Sequence, residues 1–156
     1  MFCFTAIVAI GGDGYYADFN TVEVFSAGEW TTPYPPMSTK RGCYPASCYA
    51  EVAKEPRIYV AGGRDGSNYL NSCEYLNLST KTWTIIAPLS TPRYNTAGVL
   101  LADGRTFLVC GGSDGNYLAT CEKLDLATHA WTSAAPLQTV RCAHAAVLFR
   151  GHAVVI

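Results

Sequence analysis

Charge is scarce in this chain of 156 residues. Asp, Glu, Lys and Arg make up 15% of it, and the formal net charge is −1. Globular proteins usually contain about a quarter of charged residues. Such a weak charge balance produces no field that would attract nucleic acid or an anionic membrane. Because the sequence also lacks a basic run, no nucleic-acid partner is expected.

Long hydrophobic runs are also absent. No apolar run approaches the roughly 20 residues that a membrane-spanning helix needs, although 49% of the residues are hydrophobic. The apolar segment 1–10 could serve as the core of a signal peptide, but it lacks a basic flank and a small-residue cleavage pattern. We therefore interpret it as a β-strand, and we expect no membrane partner.

Motifs for metal and thiol chemistry are missing as well. The chain has seven cysteines, an odd number, and no CxxC pair or Cys/His cluster has zinc-ligand spacing. We interpret the cysteines as small buried residues in a reducing compartment, which predicts an intracellular location, with the cytoplasm favoured. A reactive thiol at Cys43 or Cys142, both near loops, remains an alternative. No metal and no cofactor is expected.

Catalytic constellations are few. The three histidines, His129, His144 and His152, are scattered, and no Ser/His/Asp set repeats the spacing of a known site. The Gly-Gly-Asp-Gly segment 11–14 is not a phosphate loop, because no Lys-Ser/Thr follows it. We assign no catalytic residue, and a role without enzymatic activity is favoured.

No stretch has the periodicity of an amphipathic helix, and the sequence instead contains an internal repeat. An apolar run that ends in a double glycine occurs three times, and the second glycines stand at positions 12, 63 and 112, which are 51 and 49 residues apart. A fixed period of about 50 residues is typical of repeat architectures. Each period contains four short strand-like segments separated by turn residues, and four antiparallel strands form one blade of a β-propeller.

Three further features keep the same register in every unit. A short strand-like run contains a glutamate, a tryptophan follows after a turn, and a segment of the form P-[ML]-x-T-x-R ends the unit. With the double glycines, these repeated positions are Gly11, Gly12, Gly62, Gly63, Gly111, Gly112, Trp30, Trp83, Trp131, Glu23, Glu74, Glu122, Arg41, Arg93 and Arg141.

This combination resembles the kelch repeat, whose pattern is a double glycine after a strand, then a spaced aromatic residue and a tryptophan. The match covers essentially the whole chain, although the first unit has a shorter turn before Trp30. The resemblance implies an all-β fold: a kelch-type β-propeller segment with about three four-stranded antiparallel blades, two complete and two partial at the termini.

One domain of kelch repeats is expected over 1–156, with units at approximately 1–41, 42–93 and 94–141 and a partial fourth unit at 142–156. Three units are too few to close a propeller ring. We therefore expect a fragment of a longer propeller, or a pair of copies. Either further blades of the same chain or a second copy would close the ring.

The repeated residues are expected to do a structural job once per blade. Since a buried charge needs a partner, each glutamate should pair with an arginine or accept backbone N–H bonds, within a blade or across the interface between blades. The glycines should allow positive φ or close backbone approach. The tryptophans should fill the space between blades.

Two loops of each unit are expected to form a binding face, namely the loop after the double glycine and the loop after the arginine. The resemblance implies this, because these loops face ligands in kelch propellers. Their residues differ between units while the framework repeats, as expected for a binding surface on a regular scaffold. The candidate binding residues are Asp13, Asp18, Arg64, Tyr69, Tyr94, Asn95, Ser113 and Tyr117.

The function implied by the resemblance is a protein-binding module that presents this loop face to a protein or peptide partner, with a substrate adaptor as one form. Two alternatives stay open. One is a carbohydrate-active enzyme on a kelch propeller, of the sugar-oxidase or mutarotase type. The other is an actin cross-linking module, which co-sedimentation with actin filaments would test.

Overall fold

The computed structural model describes residues 7–14 and 17–156, and in these residues every regular element is a β-strand. Most strands are rich in β-branched, aromatic or other apolar residues and are bounded by Gly, Asp and Asn, the composition that favours short strands between tight turns. The predicted all-β propeller segment is confirmed. The part of the predicted first strand at residues 1–6 lies outside the described residues.

Four antiparallel sheets follow one another along the chain, and we call the first three of them blades 1, 2 and 3. Blade 1 contains β1 (Ile7–Ile10), β2 (Val22–Ser26) and β3 (Glu29–Thr31). Blade 2 contains β4 (Ala46–Val52), β5 (Glu55–Ala61), β8 (Cys73–Asn77) and β9 (Thr82–Ile86), with a short ribbon of β6 (Arg64–Asp65) and β7 (Asn68–Tyr69) in the loop between β5 and β8. Blade 3 contains β10 (Ala97–Leu100), β11 (Thr106–Cys110), β12 (Cys121–Asp125) and β13 (Ala130–Ala134), and a hairpin of β14 (Ala146–Phe149) and β15 (His152–Val155) follows.

Blades 2 and 3 pack face to face through the main apolar cluster. Successive side chains of a strand point to opposite faces, so β5 places Ile58 and Val60 in the cluster near blade 1 and Tyr59 in the cluster shared with blade 3. Tyr59 and Phe107 meet in that shared cluster, and both are 0% exposed. Burial of each such ring contributes about 2 kcal/mol of hydrophobic stabilisation.

Glycine is required where backbones approach closely. A Cβ at Gly98 on β10 would lie 2.9 Å from Ala46 Cβ on β4 and 2.6 Å from the ring of Phe107. The repeated glycines all have positive φ, as expected from the sequence. Gly62, with φ at 71°, also passes so near the Arg93 carbonyl that an added Cβ would collide with it. The Gly62 contact holds the loop after this double glycine against the loop after Arg93.

Candidate functional site

A buried ion pair joins blade 1 to blade 2. Arg41 Nη2 lies 3.0 Å from Glu74 Oε1, and the two side chains are 1% and 0% exposed. Arg41 Nη1 also donates to the carbonyls of Gly62 and Ser72, at 2.8 and 2.9 Å. Hydrogen bonds of this kind offset the cost of removing the two charges from water.

Blades 2 and 3 are joined in the same way. Arg93 Nη2 lies 2.9 Å from Glu122 Oε1. Its Nη1 donates to the carbonyls of Gly111 and Thr120, at 2.8 and 3.0 Å. In both cases the arginine that ends one unit pairs with the glutamate of the next blade, so the expected pairing occurs across the interface.

The serine of the P-[ML]-S-T-x-R segment completes the contact. Ser38 donates from its backbone N and its Oγ to Glu74 Oε2, at 3.0 and 2.9 Å. Ser90 N donates to Glu122 Oε2 at 2.8 Å. We call this arrangement, in which a serine and an arginine of one unit hold the glutamate of the next blade, an arginine latch.

The tryptophans cross the same interfaces. Trp83 Nε1 donates to the Pro35 carbonyl at 2.9 Å, and Trp131 Nε1 donates to the Ala87 carbonyl at 2.8 Å. Each accepting carbonyl directly precedes the proline of a P-[ML]-S-T-x-R segment. The repeated sequence features of neighbouring units therefore meet at one seam.

Three repeated positions depart from the expected structural role. Glu23 and Arg141 are exposed and form no ion pair among the described residues, and Trp30 is 52% exposed instead of filling an interface. The direction of the latch explains this. An arginine reaches forward to the next blade, so within residues 7–14 and 17–156 no arginine precedes Glu23 in that role and no glutamate follows Arg141.

Backbone bridges bring the two kinds of loop together at one end of the blades. Gly42 and Arg64 exchange hydrogen bonds of 2.8 and 2.9 Å, and Tyr94 and Ser113 exchange bonds of 3.0 and 2.9 Å. Each bridge ties the loop after an arginine to the loop after the next double glycine. We call the surface formed by these loops the loop face.

Tyrosines dominate the exposed part of the loop face. The rings of Tyr69 and Tyr94 stack with centroids 4.7 Å apart and planes inclined by 24°. Tyr69 is 40% exposed, and Tyr117, from the corresponding loop of blade 3, is 65% exposed. The structure thus places three of the predicted binding residues where a partner can touch them.

At the blade 1 side, two aspartates anchor the loops. Asp13 and Asp18 form a bridge, Asp13 accepts hydrogen bonds from Cys43 N at 2.7 Å and Cys43 Sγ at 3.1 Å, and Asp18 accepts one from Gly66 N at 2.7 Å. Burial raises the pKa of Asp13, but the two bonds from Cys43 and the nearby Asp18 and Arg64 outweigh it and hold that pKa below its ordinary value.

The same loops enclose a shallow depression of about 450 Å³ lined by Asp13, Asp18, Lys40, Arg64 and Asp65, among others. Side chains of both charge signs therefore meet beside the exposed tyrosines. Such a surface can hold a polar backbone or a charged side chain of a partner, whereas its openness to solvent does not suit chemistry that requires a water-excluded site.

The sequence of the chain matches the model of a known protein family. The model of the KLHDC2/KLHL20/DRC7 Kelch-repeats domain matches residues 2–156. The chain belongs to the kelch-repeat family. A kelch-repeat domain is a general protein-interaction module, and the loop face of this kelch domain has the exposed aromatic residues that such a module uses.

Ser113 is a correction to the predicted binding set of the kelch domain. It is 1% exposed, and its Oγ accepts a hydrogen bond from Gly115 N at 3.1 Å, so it shapes the loop and is not available to a partner. Asn95, with φ at 50°, is half-buried and connects loops through its backbone: its N donates to the Cys43 carbonyl at 2.7 Å, and its carbonyl accepts from Ala143 N at 2.9 Å.

Cys43 is not the reactive thiol that the sequence left open. Burial and the hydrogen bond to Asp13 raise the pKa of Cys43 to about 11, so the nucleophilic thiolate is rare at neutral pH. Cys142 is half-buried. Cys3 lies outside the described residues.

Sequence reasoning missed Tyr44 as a loop-face residue, although it is 71% exposed and its ring is available to a partner. A clue was present, since Tyr44 lies three residues after Arg41, in the loop after that arginine. It also missed His144, which lines a second depression of about 430 Å³ with Tyr44. Burial lowers the pKa of His144.

In residues 7–14 and 17–156 no helix is long and apolar enough to cross a membrane. In the same residues no group of three or more His, Cys, Asp or Glu could hold a metal ion.

Proposed function

We propose that this kelch domain binds a protein or peptide partner through its loop face, as a substrate adaptor does when it recognises its client. The observation that supports this most directly is the set of exposed tyrosines Tyr44, Tyr69 and Tyr117, displayed on two successive units. Tyrosine and arginine are enriched among residues that carry binding energy at protein interfaces.

Preorganisation of the loops supports the same proposal. Tyr69 is held against Tyr94 by stacking, and Tyr94 is held by its backbone bridge to Ser113. A partner that binds there orders few additional side chains, which reduces the entropic cost of association. The two arginine latches, Arg41 with Glu74 and Arg93 with Glu122, keep the three blades in fixed relative positions.

The contact residues proposed from this arrangement are Tyr44, Tyr69, Tyr94 and Tyr117, with Asp13, Asp18 and Arg64 beside them. Asn95 contributes by fixing the loop backbone. The alternatives of a sugar-converting enzyme and an actin cross-linker gain no specific observation among the described residues, and neither is proposed here.

We also propose an intracellular location. Every cysteine among the described residues is a free thiol, as is usual in a reducing compartment. Fluorescence microscopy of a tagged chain would test this, and retention in the secretory pathway would contradict it.

A peptide selection tests the binding proposal. A random peptide library displayed on phage is selected against the 156-residue chain, and one selected peptide is then titrated into the chain by calorimetry. The double variant Tyr69→Ala/Tyr117→Ala should weaken binding of that peptide by roughly thirtyfold or more, since hot-spot tyrosines each contribute about 2 kcal/mol.

Tyr49→Ala is the matched control, because Tyr49 is 52% exposed but belongs to β4, away from the loop face. It should leave affinity unchanged. A selected peptide whose affinity falls with Tyr49→Ala and not with the loop-face variant would overturn the proposal. Circular dichroism of all variants checks that the fold is retained.

A further inference from the structure

Two cysteines stand directly opposite each other on neighbouring strands of blade 3. Cys110 ends β11 and Cys121 begins β12, and the antiparallel register makes them partners. Gly111 N donates to the Thr120 carbonyl at 3.1 Å, so the ladder hydrogen bonds at this point belong to the adjacent pair of residues. Cys110 and Cys121 therefore form a non-hydrogen-bonded pair, the type in which opposite Cα atoms lie about 4.5 Å apart.

This backbone geometry suits a disulfide bond. Disulfides join residues whose Cα atoms are about 4.4 to 6.8 Å apart, and opposite residues of a non-hydrogen-bonded pair fall inside that range. The side chains of such a pair are on one face of the sheet and close together. The Cys110 and Cys121 side chains also belong to the same buried apolar cluster. The two sulfur atoms can therefore be joined with little movement of the strands.

Blade 2 has the same backbone arrangement but only one cysteine. Cys73 begins β8 as Cys121 begins β12, and the residue opposite Cys73 is Ala61. The two thiols have the same orientation. Cys121 Sγ donates to the Ala119 carbonyl at 3.6 Å, and Cys73 Sγ donates to the Asn71 carbonyl at 3.4 Å. The chain thus contains a matched site that lacks the second thiol.

The second thiol changes the acidity of the first. The Cys110 thiol comes first among the causes that set the pKa of Cys121 and lowers it to about 7, although burial acts in the opposite direction. At Cys73, where Ala61 stands opposite, burial comes first and raises the pKa to about 11. Because the thiolate is the reactive form of cysteine, Cys121 is the thiol of this pair that an oxidant would attack first.

We propose that Cys110 and Cys121 form a reversible disulfide when the chain is exposed to a small hydroperoxide such as hydrogen peroxide. The Cys121 thiolate attacks one peroxide oxygen and the O–O bond breaks. The departing hydroxide takes up the proton that the thiol released and becomes water, and Cys121 is left as a sulfenic acid.

The disulfide forms in a second step. The Cys110 sulfur attacks the Cys121 sulfur, the S–O bond breaks, and the hydroxide leaves as water with the Cys110 proton. Two thiols and one peroxide thus give one disulfide and two waters. The two thiols lose two electrons in total, and the peroxide gains them.

The bond would lie at the base of the loop that carries Tyr117. Cys110 and Cys121 flank loop 111–120, and Arg93 Nη1 donates to the carbonyl next to each cysteine, at 2.8 and 3.0 Å. The two cysteines are 0% and 5% exposed, which favours a small oxidant over a bulky one. Oxidation adds a covalent link between β11 and β12 where an arginine latch meets the loop face.

Peroxide treatment of the 156-residue chain tests the proposal. The reduced chain is treated with hydrogen peroxide near neutral pH, and its remaining thiols are blocked with iodoacetamide in denaturant. Trypsin then releases Cys110 and Cys121 in one peptide, 106–123, and Cys73 in another, 65–81. In mass spectra, peptide 106–123 should escape blocking and be lighter than its reduced form by two hydrogen atoms. Dithiothreitol should restore the reduced form, and Cys73 should be recovered mainly as the blocked thiol.

Cys110→Ala is the matched control variant, because it gives blade 3 the Ala–Cys pair that blade 2 already has. It should abolish the disulfide and slow the oxidation of Cys121 by at least roughly tenfold, since the loss of thiolate outweighs the gain in nucleophilicity as the thiol pKa rises. Circular dichroism checks that the variant is folded. Cys73 serves as an internal control in the unaltered chain, so the test does not depend on the variant.

Several results would overturn the proposal. One is recovery of peptide 106–123 with both cysteines blocked after peroxide treatment. Equal oxidation of Cys73 and Cys121 would show that the opposite thiol has no effect, and so would oxidation of Cys121 that Cys110→Ala leaves unchanged. Oxidation that dithiothreitol does not reverse would mean that Cys121 proceeds to sulfinic acid and forms no disulfide.

Discussion

Arg41 and Glu74 form an ion pair that is almost completely shielded from water, although the two residues belong to different units. Their side chains are 1% and 0% exposed, and 33 residues of sequence separate them. Either charge alone would be costly to bury. Stacking of blade 1 on blade 2 therefore depends on residues that both units must supply together.

Arg41→Met should lower the free energy of unfolding by about 3 to 5 kcal/mol, because it leaves Glu74 buried without its cation. Adding Glu74→Leu should restore part of the loss, since the uncompensated charge is then removed. Urea unfolding followed by tryptophan fluorescence measures both changes. Arg105→Met is the control: Arg105 pairs with Asp125 at the surface, with side chains 61% and 37% exposed, and should cost less than about 1 kcal/mol.

Trp131→Phe should destabilise the protein more than Trp30→Phe does. The first change removes the 2.8 Å hydrogen bond to the Ala87 carbonyl and should cost about 1 to 2 kcal/mol. The second affects a side chain that is 52% exposed and should cost less than about 0.5 kcal/mol. Thermal unfolding of the two variants side by side measures the difference, and equal losses would contradict the assigned roles.

The Cys43 thiol should react slowly with iodoacetamide at pH 8. Burial comes first among the causes that raise its pKa to about 11, and the hydrogen bond to Asp13 comes second. Asp13→Asn should lower the pKa and speed the reaction, which mass spectrometry of the labelled peptide would detect. Fast labelling of Cys43 in the unaltered protein would show that the Asp13 contact is not maintained in solution.

The same thiol predicts a loss of stability in alkaline solution. Its folded pKa of about 11 lies above the ordinary value of 9.0, so the folded state holds this proton more tightly than the unfolded state does. The stabilisation is present below about pH 9 and is lost as the pH rises toward 11. Cys43→Ser should flatten this part of the stability profile, as measured by urea unfolding between about pH 8 and pH 11.

Gly98→Ala should destabilise the contact between the first strands of blades 2 and 3 by roughly 1 to 3 kcal/mol. The added methyl group would lie 2.9 Å from Ala46 Cβ and 2.6 Å from the Phe107 ring. Ala46→Gly in the same chain should recover part of the loss by removing one of the two clashes. A change in melting temperature measures both, and an unaffected Gly98→Ala variant would show that the strands can separate.

The loop face could be predicted only in part. Tyr69, Tyr94 and Tyr117 can be assigned to it from the sequence because they lie in the loops that follow the repeated glycines and arginines. Ser113 stands at an equally regular position, but it is 1% exposed. Sequence spacing locates a loop, whereas the direction of a side chain within that loop depends on hydrogen bonds such as the one from Gly115 N to Ser113 Oγ.

The sequence by itself determined the propeller architecture, because its cause is local and repeated. A double glycine, a strand with a glutamate, a tryptophan and a P-[ML]-x-T-x-R segment recur every 48 to 53 residues. Strand propensity and turn geometry act over a few neighbouring residues only. Only the tertiary structure decided that Arg41 pairs with Glu74 of the next blade and not with Glu23 of its own unit. The three glutamates occupy equivalent positions of the repeat, and so do the three arginines, so the sequence does not say which glutamate pairs with which arginine. Only the stacking of blades brings Arg41 and Glu74 to 3.0 Å.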